Sequence, residues 1–247
     1  MSMYKRRTFL KGALAAGALP FIPSCLTAAP KREKISLKQG AKILFQGDSI
    51  TDGGRSRNND WNHVMGHGYA YIVASRLGFE HPEMDYHFYN RGVSGDTLIG
   101  LTNRWQKDAV ELKPDVLSIL VGVNDTSAEM DGKAGFTAEA YSEKYRSLLK
   151  LTRENLPETR LVIGEPFLLP VGRIKANWDK WNEKVKQRQV IAKGLAEEFK
   201  AAFVPYQSAF NKALKKAPAE YWIWDGVHPM PAGHELMARE WLKVLNR

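Results

Sequence analysis

One cysteine, Cys25, is all that the 247 residues contain. An intrachain disulfide is therefore excluded, and the fold has to be held by its core. Long hydrophobic runs are missing too. The most apolar stretch, Ala13 to Ile22, is broken by Gly17 and Pro20, with Pro23 just beyond, and is too short for a comfortable membrane span. There is no internal repeat, no low-complexity tract and no internal linker. Acid is scarce relative to base, and the formal charge of +9 invites a nucleic-acid reading. The distribution removes it. Residues 1–34 carry Lys5, Arg6, Arg7, Lys11, Lys31, Arg32 and Lys34 against Glu33 alone, a net of +6 that leaves +3 for residues 35–247. That remainder shows no basic-aromatic array, so no nucleic-acid partner is expected.

What is present suits one α/β domain. The length allows a sizeable core, and an apolar content of 44% with 26% charged residues is ordinary for a globular protein. Residues 1–34 read as an export signal and linker, and residues 35–247 as the folded domain. The segment "YKRRTFLKGALAAGALPFIPSC" has a charged start, an apolar centre and small residues near its end. Arg6-Arg7-Thr8-Phe9-Leu10-Lys11 resembles a twin-arginine export signal. Cys25 follows the apolar run directly, as in a lipoprotein cleavage site; Ser24 fits that pattern and Pro23 fits it poorly. Ordinary cleavage near Thr27 to Pro30 would instead remove the cysteine. The expected location is thus periplasmic, or membrane-anchored through a lipidated Cys25.

From Lys38 onward, strand-like and helix-like segments alternate. The strand candidates are Lys42–Gln46, Tyr86–Asn90, Asp115–Leu120, Arg160–Gly164 and Ala202–Pro205. The first and third are nearly continuous apolar runs, as in buried parallel strands. Helix candidates are Tyr69–Leu77, Thr97–Glu111, Ala138–Asn155, Trp178–Lys200, Tyr206–Lys216 and Ala232–Leu245. This alternation predicts a parallel sheet covered on both faces by helices. Such sheets bind ligands beyond the carboxyl ends of their strands. Polar clusters follow the first three strands there: Asp48-Ser49, Arg91-Gly92-Val93-Ser94-Gly95 and Gly122-Val123-Asn124-Asp125. A fourth, Trp224-Asp225-Gly226-Val227-His228-Pro229, precedes the last helix.

A serine hydroxyl is a poor nucleophile until a base takes its proton, and an imidazole held by a carboxylate is such a base. Ser49, His228 and Asp225 supply those three groups. The oxyanion formed on attack needs donors. The backbone N–H of Gly92, the side-chain amide of Asn124 and the N–H of Ser49 are the candidates.

The blocks "GDSITD", "NRGVSG", "GVND" and "DGVHP" resemble the four blocks of the SGNH, or GDSL-type, hydrolase superfamily, with Ser49, Gly92, Asn124 and His228 in the naming positions and Ile50 in place of leucine. The resemblance implies a serine esterase on a three-layer α/β/α, flavodoxin-like five-stranded parallel sheet, with no metal and no cofactor. It implies Asp225 as the acid partner of His228, and oxyanion roles for Ser49, Gly92 and Asn124. Within the superfamily, "GDSITDGGR", "NRGVSGDT", "LKPDVLSILVGVND" and "WDGVHPMPAGHELMAREWL" look most like bacterial esterases that deacetylate xylan-derived sugars. A small-molecule or oligosaccharide ester is then the expected substrate. Self-association into a homo-oligomer is compatible with the sequence.

Each assignment has a plainer rival. Ser49 suits a helix cap, Gly92 and Asn124 suit turns, and His228 suits a surface position. Four such coincidences, in order, are what the plain readings must explain together. A lysophospholipase or short-chain lipase is the rival activity; the chain has no extended apolar lid. A non-catalytic carbohydrate-binding protein on the same fold is the rival of another class. The G-x-S-x-G elbow is missed at Ser49, where Thr51 replaces glycine, and at Ser94, which is read as support for the Gly92 turn. His63 and His67 have the spacing of a zinc helix without its glutamate and are read as a loop at the cleft mouth. Asp48 and Asp125 are expected to order loops; Asp48, Trp61 and Trp224 are also placed at the substrate. His234 is read as structural, and the charge run Lys180 to Arg188 as a solvated helix face.

Overall fold

The computed structural model describes residues 34–58 and 60–246. The twin-arginine segment, Cys25 and the Thr27 to Pro30 cleavage site lie outside them.

Five parallel strands form the sheet: β1 (Lys42–Gly47), β2 (His87–Asn90), β3 (Val116–Leu120), β4 (Arg160–Gly164) and β5 (Ala202–Val204). Their order is β2-β1-β3-β4-β5, with β1 pairing β2 on one side (Leu44 beside Tyr89) and β3 on the other (Leu44 beside Leu117). The helices are α1 (Ser49–Asp52), α2 (Tyr69–Glu80), α3 (Leu98–Trp105), α4 (Val123–Met130), α5 (Ala138–Asn155), α6 (Trp178–Glu198), α7 (Tyr206–Ala213), α8 (Ala219–Trp222) and α9 (Pro231–Leu242). The strands match their expected places to within a residue or two. The segment expected as one helix from Thr97 to Glu111 is α3 followed by a π-helical turn, Gln106–Val110.

Side chains of a strand alternate between faces, and both faces are covered. Ile43 and Phe45 join one core with α2, α7 and α9; Leu44, Leu117 and Ile119 join the other with α3, α5 and α6. Helix α5 shows why its sequence is helical. Thr137 caps it by accepting the Ala140 N–H, and its buried positions are Tyr141, Tyr145, Leu148, Leu149 and Thr152, one face of a 3.6-residue period. Helix α9 is held to the sheet by Trp241. That ring is fully buried, lies 5.2 Å from Phe45 and donates its N–H to Ser118 Oγ at 2.9 Å. Losing such a side chain costs about 3–5 kcal/mol.

The charge run on α6 differs from expectation. Buried positions on α6 are Val185, Arg188, Ala192, Leu195 and Ala196, so Arg188 falls in the inward stripe. It is fully buried and donates to Glu129 Oε2 at 2.7 Å and to the Phe136 carbonyl at 2.6 Å. Lys184 also reaches Glu129, at 2.9 Å. A charge run is therefore not a solvated face where the helical period turns one of its members inward and an acid on α4 awaits it.

Strand β1 lies between β2 and β3, so the chain runs outward in opposite directions from it. Crevices of parallel sheets open at such a reversal, beyond the carboxyl ends. Gly47, Asn90 and Leu120 end the three strands on that edge.

Candidate active site

The turn after β1 begins with Asp48. Its side chain accepts the Ile50 N–H at 3.0 Å and starts α1, and Gly53, at φ +53°, ends it after one turn. Ser49 is the first residue of that turn, so its N–H has no carbonyl within the helix to bond. Its hydroxyl lies 2.7 Å from His228 Nε2.

His228 sits in the loop between α8 and α9. Its Nδ1 is 2.8 Å from Asp225 Oδ2. The other oxygen, Oδ1, accepts the N–H groups of Val227 at 2.9 Å and His228 at 2.7 Å. A carboxylate accepts only, so Nδ1 carries the proton and Nε2 turns its lone pair to the serine. Burial would raise the Asp225 pKa, but the His228 and Val227 bonds outweigh it and hold the carboxyl below its ordinary value. A hydroxyl so placed has a proton acceptor in line and a fixed charge behind that acceptor.

The loop after β2 meets α1 from the other side. Asn90 donates to the carbonyls of Thr51 at 2.7 Å and Met65 at 2.9 Å. Asp52 accepts from Ser94 through both its N–H, at 2.9 Å, and its hydroxyl, at 3.0 Å, and holds Arg57 with two bonds. Ser94 thus supports this turn, as expected. The Gly92 N–H, expected as an oxyanion donor, also has a partner within the protein. It goes to Asn90 Oδ1 at 2.9 Å in a tight turn. The close approach that glycine permits is to α1 itself: a Cβ at Gly92 would lie 2.4 Å from the Asp52 nitrogen. Asn124, in the first turn of α4, gives one amide hydrogen to the Asp96 carbonyl at 2.9 Å. An amide carries two, so the bond orients the group and leaves one free.

A cavity of about 260 Å³ opens beside the serine. Ser49, Ile50, Gly53, Gly54, His67, Trp224, His228, Pro229 and His234 line it. Trp224 is exposed and lies nearly parallel to the His228 ring, 6.1 Å away at 25°. Of the three residues expected at the substrate, Trp224 lines this cavity. Trp61 is 89% exposed and does not line the cavity. Asp48 is 1% exposed, because its carboxyl faces inward to cap α1. Burial, then the nearby carboxylates of Asp125 and Asp96, push it up to about 7. Asp125 is also raised by burial, to about 6, and receives the Leu98 N–H at 3.2 Å. His63 and His67 do not gather: the first pairs with Asp60, the second lines the cavity.

Two positions that sequence reasoning did not place here matter. His234 lines the cavity, and Arg173 Nε approaches Asp225 Oδ2 at 3.5 Å. Sequence distance hid the arginine, which arrives from the loop after β4.

Residues 45–236 match the model of the GDSL-like Lipase/Acylhydrolase family. An acetylxylan esterase of Geobacillus stearothermophilus is 34% identical over 214 residues, which cover 85% of this chain and 96% of that protein. A structure described as a GDSL-like lipase from Parabacteroides merdae ATCC 43184 superposes with a TM-score of 0.82 at 44% identity, over 86% of this chain and 98% of the other. A solved variant of the Geobacillus acetylxylan esterase gives 0.76 at 33%, over 85% and 96%. Other variants of that enzyme, described as catalytic mutants, replace a serine, an aspartate and a histidine by alanine.

Proposed function

The chain belongs to the GDSL-like lipase/acylhydrolase family, and from that premise we propose that it removes O-acetyl groups from xylan-type or related carbohydrates outside the cytoplasm. It is a carboxylic ester hydrolase. The observation that carries the mechanistic reading is the unbroken contact from Ser49 Oγ to His228 Nε2, at 2.7 Å, and from His228 Nδ1 to Asp225, at 2.8 Å.

In this reading Ser49 Oγ attacks the ester carbonyl carbon while His228 Nε2 takes the hydroxyl proton. Asp225 stabilises the imidazolium and stays ionised. The carbonyl oxygen becomes an oxyanion beside the Ser49 N–H and the free amide hydrogen of Asn124. Gly92 would share its N–H with Asn90. Collapse breaks the bond to the alcohol, which leaves with the proton from His228. Water then attacks the acyl-Ser49 ester, its proton goes to His228, and acetate and the free serine are released.

The likeness to an acetylxylan esterase supports the short acyl group. The exposed Trp224 face suits a sugar ring. The test is a substrate series. An open apolar groove would gain about 0.8 kcal/mol for each added methylene, so a lipase would improve with chain length. Here kcat/KM should fall from acetyl to butyryl to octanoyl esters, and acetylated xylo-oligosaccharides should release acetate. A rise with chain length and cleavage of lysophospholipid alone would replace the carbohydrate reading.

Export is part of the same proposal. Arg6 and Arg7 stand in a twin-arginine context, and polysaccharide is met outside the cytoplasm. Replacing both by lysine should retain the precursor inside the cell, and normal export of that variant would reject the signal. Attachment through a lipidated Cys25 predicts that Cys25→Ala releases the protein from membranes; unchanged partition would leave cleavage beyond Cys25 as the account.

A further inference from the structure

Helix α9 brings His234 to the cavity, six residues after His228. Its side chain meets the start of α2. The Tyr69 N–H, which has no carbonyl within its own helix, donates to His234 Nδ1 at 3.2 Å. A ring nitrogen that accepts carries no proton, so the neutral imidazole holds its proton on Nε2. Burial, then the neighbouring rings of His67 and His228, hold the His234 pKa down at about 4, which keeps the ring neutral. Among the described residues Nε2 has no hydrogen-bond partner, yet it is not among the buried polar atoms sealed from solvent. It is a fixed donor with its hydrogen bond unmade, on a ring that lines the cavity.

The side of the cleft follows from the chemistry. The departing alcohol takes its proton from His228, so the alcohol oxygen has to lie beside that ring. His228 and Trp224 line this cavity, whereas Gly92 and Asn124, on the oxyanion side, do not. Among the described residues no carboxylate lines it either. A cavity with an N–H donor and no acid suits a neutral group rich in acceptor oxygens.

We propose that the His234 Nε2–H donates a hydrogen bond to an oxygen on the alcohol portion of the ester, making His234 a specificity residue for polyhydroxylated leaving groups. The inference rests on the esterase reading and deepens it. His234 also accepts from Tyr69, and the two uses of the ring can be separated. In His234→Asn the amide oxygen falls near the place of Nδ1 and can still accept the Tyr69 N–H, while nothing occupies the place of Nε2.

The experiment compares wild type and His234→Asn on an acetylated methyl xyloside and on p-nitrophenyl acetate. Both carry the same acyl group, but only the first has sugar oxygens on its alcohol. The xyloside kcat/KM should fall about tenfold or more, the usual consequence of a lost hydrogen bond to a substrate. The fall should come mainly through KM, with p-nitrophenyl acetate hydrolysis and Tm unchanged. An equal loss on both esters would reduce His234 to its contact with Tyr69, and no loss on either would remove it from recognition. If wild type spares the xyloside, the carbohydrate reading falls first. Glycerol triacetate against p-nitrophenyl acetate then decides His234 by the same two outcomes.

Discussion

Ser49 and His228 are 179 positions apart in the chain and 2.7 Å apart at Oγ and Nε2. A contact so distant in sequence exists because β1 ends at the reversal in strand order and α9 is anchored to the sheet beside β1 through Trp241, which packs on Phe45 and bonds Ser118. Position therefore carries the chemistry, and single replacements at the site should report on it cleanly.

Ser49→Ala removes the attacking oxygen and little else, since the residue is only half-buried and alanine tolerates the first turn of a helix. Turnover of p-nitrophenyl acetate should drop by about 10⁴–10⁶-fold with Tm unchanged. A serine-directed phosphonate should label Ser49 in the wild type. Labelling of Ser94, or near-normal turnover in the folded variant, would reject the assignment. Asn124→Ala should cost about 10²–10³ in kcat, roughly 3–4 kcal/mol, with KM little altered. A change confined to KM would move Asn124 from the oxyanion to substrate positioning.

Asp48 offers a test by pH. Burial raises its carboxyl from 3.8 to about 7. A folded-state pKa above the unfolded value means that the folded protein holds the extra proton between those limits. The contribution of this group is then full below pH 4 and lost as pH rises toward 7. Asp48→Asn keeps a capping oxygen for the Ile50 N–H and cannot ionise. The stability of wild type minus that of the variant should therefore decrease from pH 4 to pH 7, by on the order of a few kcal/mol. Urea unfolding at several pH values measures it. A constant difference would mean that Asp48 is ionised throughout.

The fold was largely legible because buried parallel strands write themselves as short apolar runs, and α5 as a 3.6-residue stripe. The single-turn helix at Ser49 was not: four residues are too few to show a period, and its start depends on one side chain, Asp48. Asp48 is expected both to order this turn, as its bond to the Ile50 N–H does, and to meet substrate; sequence shows an acid near a site but not which way it points. The three groups Ser49, Asp225 and His228 were nameable from their flanking motifs. The engagement of the Gly92 N–H by Asn90 was not, because that bond depends on how the loop closes. Arg188 is the departure, because a charge run suggests solvent unless the helical period is followed through it, whereas His234, expected to be structural, does hold the Tyr69 N–H.

Arg188 supplies the stability counterpart. It is fully buried, and its head meets Glu129 and the Phe136 carbonyl. Removing one partner of a buried pair leaves the other charge uncompensated, at a cost of about 3–5 kcal/mol. Glu129→Ala should lower stability by about that much without changing the relative rates on different esters. Replacement that costs less than about 1 kcal/mol would show that the pair behaves like an exposed one.

Gly92→Ala separates two reasons for a glycine. If the residue is needed only for its N–H, alanine keeps that group and should be nearly neutral. The packing says otherwise: the added Cβ would lie 2.4 Å from the Asp52 nitrogen, 2.9 Å from its Cα and 2.9 Å from the Thr51 carbonyl carbon. All three are backbone atoms of α1, so no side-chain rotation relieves them and the turn bearing Ser49 has to move. Overpacking of this kind costs about 1–3 kcal/mol. A displacement near 1 Å at a reacting group can reduce turnover by about 10²-fold. Gly78 is the matched control, a helical glycine with open space around its Cβ position. Gly78→Ala should stabilise by roughly 0.5–1 kcal/mol and leave kcat alone. Were Gly92→Ala to match Gly78→Ala in both stability and kcat, the steric account of Gly92 would be wrong.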